Sequence, residues 1–263
     1  MAEKHLTQDQ LEIISNKVVG DGFYRLTVRS HSWAKSARAG QFAHIRVGKG
    51  LEPLLRRPIS IHGLDDRDAI AFLYQAKGAG TALLAAKRTG ETIDAIGPAG
   101  NGFTVDARFR RIILVGGGIG VAPLMFLAQA YRAKGTAVTV LLGARSKDCL
   151  TCLADFKSLG CQVTVTTDDG SQGHRGYVTD ILEQHISAGP GPVAIFACGP
   201  TVMMRRAATI AGLYDVFCEV SLEERMACGV GACLGCAVMT TTGYRRVCAD
   251  GPVFSAEEVV WTG

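Results

Sequence analysis

What this chain lacks narrows its function before any motif is read. No apolar stretch is long and uncharged enough to span a bilayer. The opening stretch, Met1 to Gln10, is polar and has no apolar h-region, so no secretory signal is expected in it. No tract of Lys and Arg occurs, and the formal net charge of +4 is too small to argue for nucleic acid. The six histidines are scattered singly, each expected to be a surface or satisfied residue. Neither a Ser/His/Asp array nor an Asp/Glu pair can be made out. Hydrolase chemistry is therefore not expected, and no catalytic residue is assigned.

Cysteine, by contrast, is plentiful. Nine cysteines, an odd number in a long chain with no secretory signal expected, read as reduced cytoplasmic thiols rather than as a disulfide scaffold. Three lie in Cys228-Gly-Val-Gly-Ala-Cys233-Leu-Gly-Cys236, and Cys248 follows a short hairpin later. C-x4-C-x2-C with a fourth thiol beyond it is the plant-type ligand spacing for a [2Fe–2S] cluster. Gly229, Gly231 and Gly235 would allow tight turns and close backbone approach to inorganic sulfide. The alternative is a four-thiolate structural zinc site, which usually pairs two C-x2-4-C knuckles. Only one C-x2-C occurs in this tail, so the cluster is favoured. Cys149 and Cys152 form a separate C-x2-C with no second knuckle and read as incidental. Cys161 and Cys218 read as apolar fillers.

At 263 residues the chain has room for about two domains and a small extra module. From Leu11 to about Val105 short alternating runs are punctuated by Gly and Pro. Residues 23–28, 41–47 and 69–75 read as strands and 81–88 as a short helix, which favours an antiparallel β-barrel. After Arg111 the texture changes. Buried-type strands at 111–115, 137–142, 162–166 and 193–197 alternate with helical patterns, predicting a parallel-sheet α/β domain. From about Cys218 the chain is Gly-rich and irregular, as a module held by its metal would be.

Three further motifs suit nucleotides. Leu55-Arg56-Arg57-Pro58-Ile59-Ser60-Ile61 could set a cation on a phosphate and a hydroxyl near a flavin edge, although an edge strand with a solvated Arg pair gives the same letters. Lys77-Gly-Ala-Gly80-Thr81 opens the short helix and offers N–H donors and a hydroxyl to a diphosphate, a role compatible with Thr81 acting as N-cap. The loop from Gly116 through Gly117, Gly118 and Gly120 to Pro123 joins a strand to a helix, the context of a dinucleotide site. It does not fit G-x-G-x-x-G, and the next strand leads to Arg145-Ser146 rather than to an acid, so a variant nucleotide site is expected. Ala197-Cys198-Gly199-Pro200-Thr201 puts small residues at the same carboxyl edge of the sheet, while Gly97-Pro-Ala-Gly100-Asn-Gly102 is expected to be a turn.

In this order the motifs resemble those of the ferredoxin-reductase superfamily. More narrowly, Leu55 to Ile61, Ile96 to Phe103, Glu219 to Cys236 and Gly243 to Phe254 are similar to segments of the electron-transfer subunits of type B dihydroorotate dehydrogenase. The resemblance implies an FAD-binding β-barrel over 8–106, an NAD(H)-binding α/β domain over 107–217 and a C-terminal [2Fe–2S] module over 218–263. It implies that Cys228, Cys233, Cys236 and Cys248 hold the cluster. FAD would lie on Arg57, Pro58, Ile59 and Ser60, on Leu73, Tyr74 and Gln75, and on Gly80 and Thr81, with Gln75 standing where the family often has Arg. NAD(H) would meet Gly116, Gly117, Gly118, Gly120, Cys198, Gly199 and Pro200, with Cys198 and Glu223 near the nicotinamide. The implied partner is an FMN-containing catalytic subunit, two of each chain forming a heterotetramer in pyrimidine biosynthesis. Electrons from the partner's FMN would pass through the cluster and FAD to NAD+, since a flavin can exchange electrons singly or in pairs. The alternative is the reductase component of another NAD(P)H, FAD and [2Fe–2S] system, with a hydrogenase, ferredoxin or glutamate-synthase-like partner.

Overall fold

The structure, a computed structural model, describes residues 6–48, 50, 52–66, 68–189 and 191–261. The stretch read as lacking a secretory signal falls partly on residues 1–5, outside the described residues. The short runs of the first third form strands β1 (Thr7–Gly20), β2 (Phe23–Arg29), β3 (Phe42–Arg46), β4 (Arg57–Asp66), β5 (Ala69–Gln75) and β6 (Thr92–Ala99), with helices α1 (His31–Ser36) and α2 (Ala79–Ala85). They close into an antiparallel barrel in the order β1-β2-β5-β4-β3-β6. Alternation drives the closure. Ala43 and Ile45 of β3 and Ile59 and Ile61 of β4 belong to one apolar core, while Phe42, at the end of β3, packs into a second core.

Helix α2 lies two residues earlier than the sequence predicts, and its N-cap is Gly78 rather than Thr81. Thr81 is the third helical residue. Its Oγ1 accepts from the N–H groups of Lys77 and Gly78 at 3.0 and 3.2 Å, closing the turn from inside.

Parallel strands β7 (Arg111–Gly117), β8 (Ala137–Ala144), β9 (Gln162–Thr167), β10 (His174–Arg175), β11 (Val193–Cys198) and β12 (Phe217–Ser221) alternate with helices α3 (Ala122–Arg132), α4 (Leu153–Ser158), α5 (Leu182–Ser187) and α6 (Thr201–Leu213). Successive residues of β7 divide between two cores. Ile112 and Leu114 pack with Leu124, Leu127 and Tyr131 of α3, and Ile113 and Val115 with Leu182, Ile186 and Ala207 from α5 and α6. Covering both faces in this way makes a doubly wound sheet. Helix α3 also packs on β4 and β5, which seats the barrel against the sheet.

The tail adds a hairpin, β13 (Ala237–Thr240) and β14 (Gly243–Arg246), and then β15 (Val253–Ser255), which pairs antiparallel with β12. The seven-stranded order is β10-β9-β8-β7-β11-β12-β15. Here the expectation of a module held by its metal rather than by a large core needs correcting. Val247, Phe254, Ala256 and Val259 are buried in the same core as β7, β11 and α6. No described helix is long and apolar enough to cross a membrane.

Candidate functional site

The four cysteines converge from two segments. Cys228, Cys233 and Cys236 lie on the loop between β12 and β13, and Cys248 lies just after β14. Cys236 and Cys248 are buried, Cys228 is half-buried and Cys233 is exposed, so the site opens to solvent on one side. Backbone N–H groups turn toward the sulfurs: Gly231 donates to Cys248 Sγ at 3.1 Å, Ala232 to Cys228 Sγ at 3.3 Å and Cys248 to Cys236 Sγ at 3.4 Å. Burial works against the Cys228 thiolate, but N–H groups of Val230 and Cys233 and the Cys233 thiol outweigh it and bring the Cys228 thiol down to about 6. Cys248 behaves oppositely, pushed up to about 12 by burial and by Cys236 beside it. The side chains thus fall into two pairs, Cys228 with Cys233 and Cys236 with Cys248.

Among the described residues no set of three or more His, Cys, Asp or Glu is placed to hold a single ion. Two pairs of thiols fit a group with two metal atoms, and the inward N–H groups fit its sulfurs. Arg246 braces the loop. It pairs with Asp250 through Nε at 2.9 Å and Nη2 at 3.1 Å, and donates from Nη1 to the Gly231 carbonyl at 2.9 Å.

The barrel reaches the same region. A Cβ at Gly100 would lie 2.5 Å from Pro252 Cδ, and Asn101 donates from its backbone to Gly251 O and from its side chain to Asp250 O, both at 2.6 Å. Of the segment expected to be a turn, Gly97 to Ala99 finish β6 instead, and Gly100 and Asn101 fasten the barrel to the cluster tail. Thr104 adds a second tie, donating from its N–H and hydroxyl to Glu219 on β12 at 2.8 and 2.6 Å.

At the start of β4 the two neighbouring arginines diverge, Arg56 just before the strand and Arg57 its first residue. Arg56 is engaged by the barrel, donating to the carboxylate and carbonyl of Asp94, both at 3.0 Å. No carboxylate among the described residues pairs with Arg57, whose guanidinium lies over Gly80: a Cβ there would be 2.5 Å from Arg57 Nε. Arg57 donates from Nη1 to the Leu55 carbonyl, and a guanidinium without a carboxylate partner above a bare backbone is a fitting cradle for a diphosphate. Pro58 and Ser60 are half-buried on the barrel's outer face and Ile59 points inward. Leu73 and Tyr74 are buried, and Tyr74 spends its hydroxyl on Asn16 Oδ1 at 3.0 Å. Gln75, at the end of β5, is half-buried opposite Phe23.

One residue of this region escaped the sequence reading. His44 is fully buried with neither ring nitrogen hydrogen-bonded, so it is neither a surface nor a satisfied histidine. Leaving a buried polar group unsatisfied costs about 1–3 kcal/mol. Burial, then the charge of Arg56, keeps its pKa below the ordinary value. Its ring lies against Gly229, where a Cβ would collide with Nδ1. The carbonyls of Cys228 and Arg56 face it without completing a hydrogen bond. No local motif signals such a residue, because the contact joins β3 to a loop far along the chain.

The nucleotide loops meet at the carboxyl ends of β7 and β11, adjacent central strands where the chain turns from one half of the sheet to the other. A Cβ at Gly120 would lie 2.5 Å from Cys198 O, and one at Gly117 would lie 2.8 Å from Pro200 Cδ. Gly118, with φ +55°, has nothing within 4 Å of its Cβ position and lies open at the mouth. This crevice fits a dinucleotide. The Cys198 thiol is held in its protonated form by burial and then by the charge of Glu223, so the two residues expected at the nicotinamide are neighbours.

Comparison with known proteins agrees with this geometry. Residues 114–209 match the oxidoreductase NAD-binding domain, and residues 223–260 match the iron-sulfur cluster binding domain of dihydroorotate dehydrogenase B. Over 261 residues the chain is 40% identical to the dihydroorotate dehydrogenase B (NAD(+)), electron transfer subunit, of Geobacillus sp. (strain WCH70), covering 97% of this chain and 99% of that one. The chain belongs to this family. The dihydroorotate dehydrogenase B electron transfer subunit of Desulforamulus reducens is 38% identical over 255 residues, 95% of this chain and 97% of its own length. A solved NADH-dependent reduced ferredoxin-NADP oxidoreductase is similar at a TM-score of 0.84 and 32% identity, covering 99% of this chain and 92% of that one. Phthalate dioxygenase reductase, at 16% identity and a TM-score of 0.66 over 94% of this chain and 95% of its own, shares the fold.

Proposed function

We propose that this chain is the electron-transfer subunit of an NAD-dependent dihydroorotate dehydrogenase of pyrimidine biosynthesis. It would work with an FMN-containing catalytic subunit in a heterotetramer of two of each, in the cytoplasm. The observation that carries the reading is the four-cysteine tail, matched over 223–260, in a chain alike from end to end to subunits of that name. Nine free thiols suit a reducing compartment.

A bound [2Fe–2S] cluster supplies one-electron exchange, and a flavin links single electrons to the hydride of a nicotinamide. The chain's own work is placement. Cys228, Cys233, Cys236 and Cys248 hold the cluster, and the loop N–H groups offset charge on sulfur. Arg57 over Gly80 neutralises the FAD diphosphate, beside Pro58, Ile59, Ser60, Thr81 and the Leu73–Gln75 strand end. Gly116 to Gly120 and Cys198 to Pro200 would seat NAD(H), with Cys198 kept as a neutral thiol near the nicotinamide.

Around the exposed Cys233 lie Val230, 45% exposed, and Leu234, 64% exposed. Leu234 has φ +58°, a left-handed conformation costing about 1–2 kcal/mol that turns an apolar side chain outward. This rim suits the catalytic subunit. Isolation of the native complex tests the reading: a co-purifying FMN protein that oxidises dihydroorotate, with flavin and iron-sulfur absorbance, is expected. A colourless protein, or one bound to a different redox partner, would overturn it. The likeness to the ferredoxin-NADP oxidoreductase favours a second reading, a reductase working with ferredoxin, which the same isolation distinguishes.

A further inference from the structure

His44 stands between the two regions assigned to cofactors. Ile61 donates from its N–H to Gln41 O at 2.9 Å, which makes that residue pair a hydrogen-bonded one. Counting along the β3–β4 register, His44 opposite Pro58 and Phe42 opposite Ser60 are then the narrow, non-hydrogen-bonded pairs, whose side chains lie closest. On its other side the imidazole rests on Gly229, the residue after Cys228. One buried ring therefore bridges the Arg57–Ser60 strand and the cysteine loop. Among the described residues it is also the only side chain with two buried polar atoms lacking a hydrogen-bond partner. The neighbouring carbonyls leave those atoms unsatisfied, although buried polar groups are ordinarily paired.

We infer that His44 is a positioning residue joining the two redox sites, its ring spacing the cysteine loop from the flavin strand and donating an N–H to a cluster sulfur. The inference rests on the cofactor reading above. Donation to sulfur favours the more negative, reduced cluster and so raises its potential.

Iron, sulfide and flavin contents of the wild-type holoprotein test the cofactor reading, and variants of the same holoprotein test His44. His44→Leu removes the donor at similar volume, and His44→Asn keeps an N–H. In His44→Leu the cluster midpoint potential, followed by spin-resonance redox titration, is expected to shift negative. Electron transfer from NADH-reduced flavin to the cluster should slow by about tenfold, the lower end of the usual loss when a group bracing a metal site is removed. His44→Asn should recover part of the potential. A wild-type potential and transfer rate in His44→Leu would overturn the inference. So would equal loss of the cluster from both variants with flavin retained, which would reduce His44 to a packing residue.

Discussion

Cysteine and glutamate in this region each show chemistry set by the immediate surroundings. Cys236 is buried and receives the Cys248 N–H, so its loss removes a bonded acceptor together with one of the four thiols proposed to hold the cluster. Cys236→Ser is expected to abolish the iron-sulfur absorbance and transfer to the partner while NADH-dependent dye reduction persists, measured by iron analysis and a dye assay. Full transfer to the partner in that variant would refute the wiring. Glu219 carries a pH dependence. Burial raises its pKa above the ordinary 4.5, against the bonds from Thr104. The folded state therefore keeps the proton longer than the unfolded chain. Stability that is full below 4.5 is lost as pH rises through the raised value. Glu219→Gln escapes that loss, so its urea midpoint should gain on wild type as the pH rises above 4.5. A pH-independent difference between the two proteins would contradict this assignment.

The elements were legible in the sequence wherever the cause was local. Runs such as Ala69 to Gln75 and Arg111 to Val115 announce strands, and the C-x4-C-x2-C spacing announces the cluster without any knowledge of packing. Helix α2 was displaced because Thr81 folds back onto Lys77 and Gly78 instead of capping from outside. His44 was illegible because its meaning needs both the register with Pro58 and the approach of Gly229. The loop between β12 and β13 bears a prediction of its own. Leu234→Glu places a charge on the exposed rim and should weaken binding to the catalytic subunit by more than about 1 kcal/mol. Titration calorimetry or size exclusion would measure it, with NADH-dependent dye reduction unaffected.

In the molecule as a whole, three parts of different texture share two cores. Phe42 and Ala99 of the barrel, Ile113 and Val115 of the sheet, and Val247 and Phe254 of the tail belong to one of them. Such sharing could not be read from the sequence, because it joins residues near 40 and 100 to residues near 250. Phe254→Ala should accordingly cost about 3–5 kcal/mol. Its effect should not stay in the tail: the thermal transitions followed by flavin release and by loss of iron-sulfur absorbance should fall together. A lowered transition for the iron-sulfur signal alone would show the tail to be independently stable.

The pairing of β15 with β12 also limits how such a chain can be rebuilt. The cluster segment is not a cassette to be exchanged at a linker, since its last strand completes a neighbour's sheet and Pro252 occupies space left by Gly100. A transplanted cluster would have to bring β12, β15 and the Gly100–Asn101 seat with it. Variation among such chains is then expected to accumulate on the exposed rim near Leu234, where a partner can change without any internal strand being rewritten.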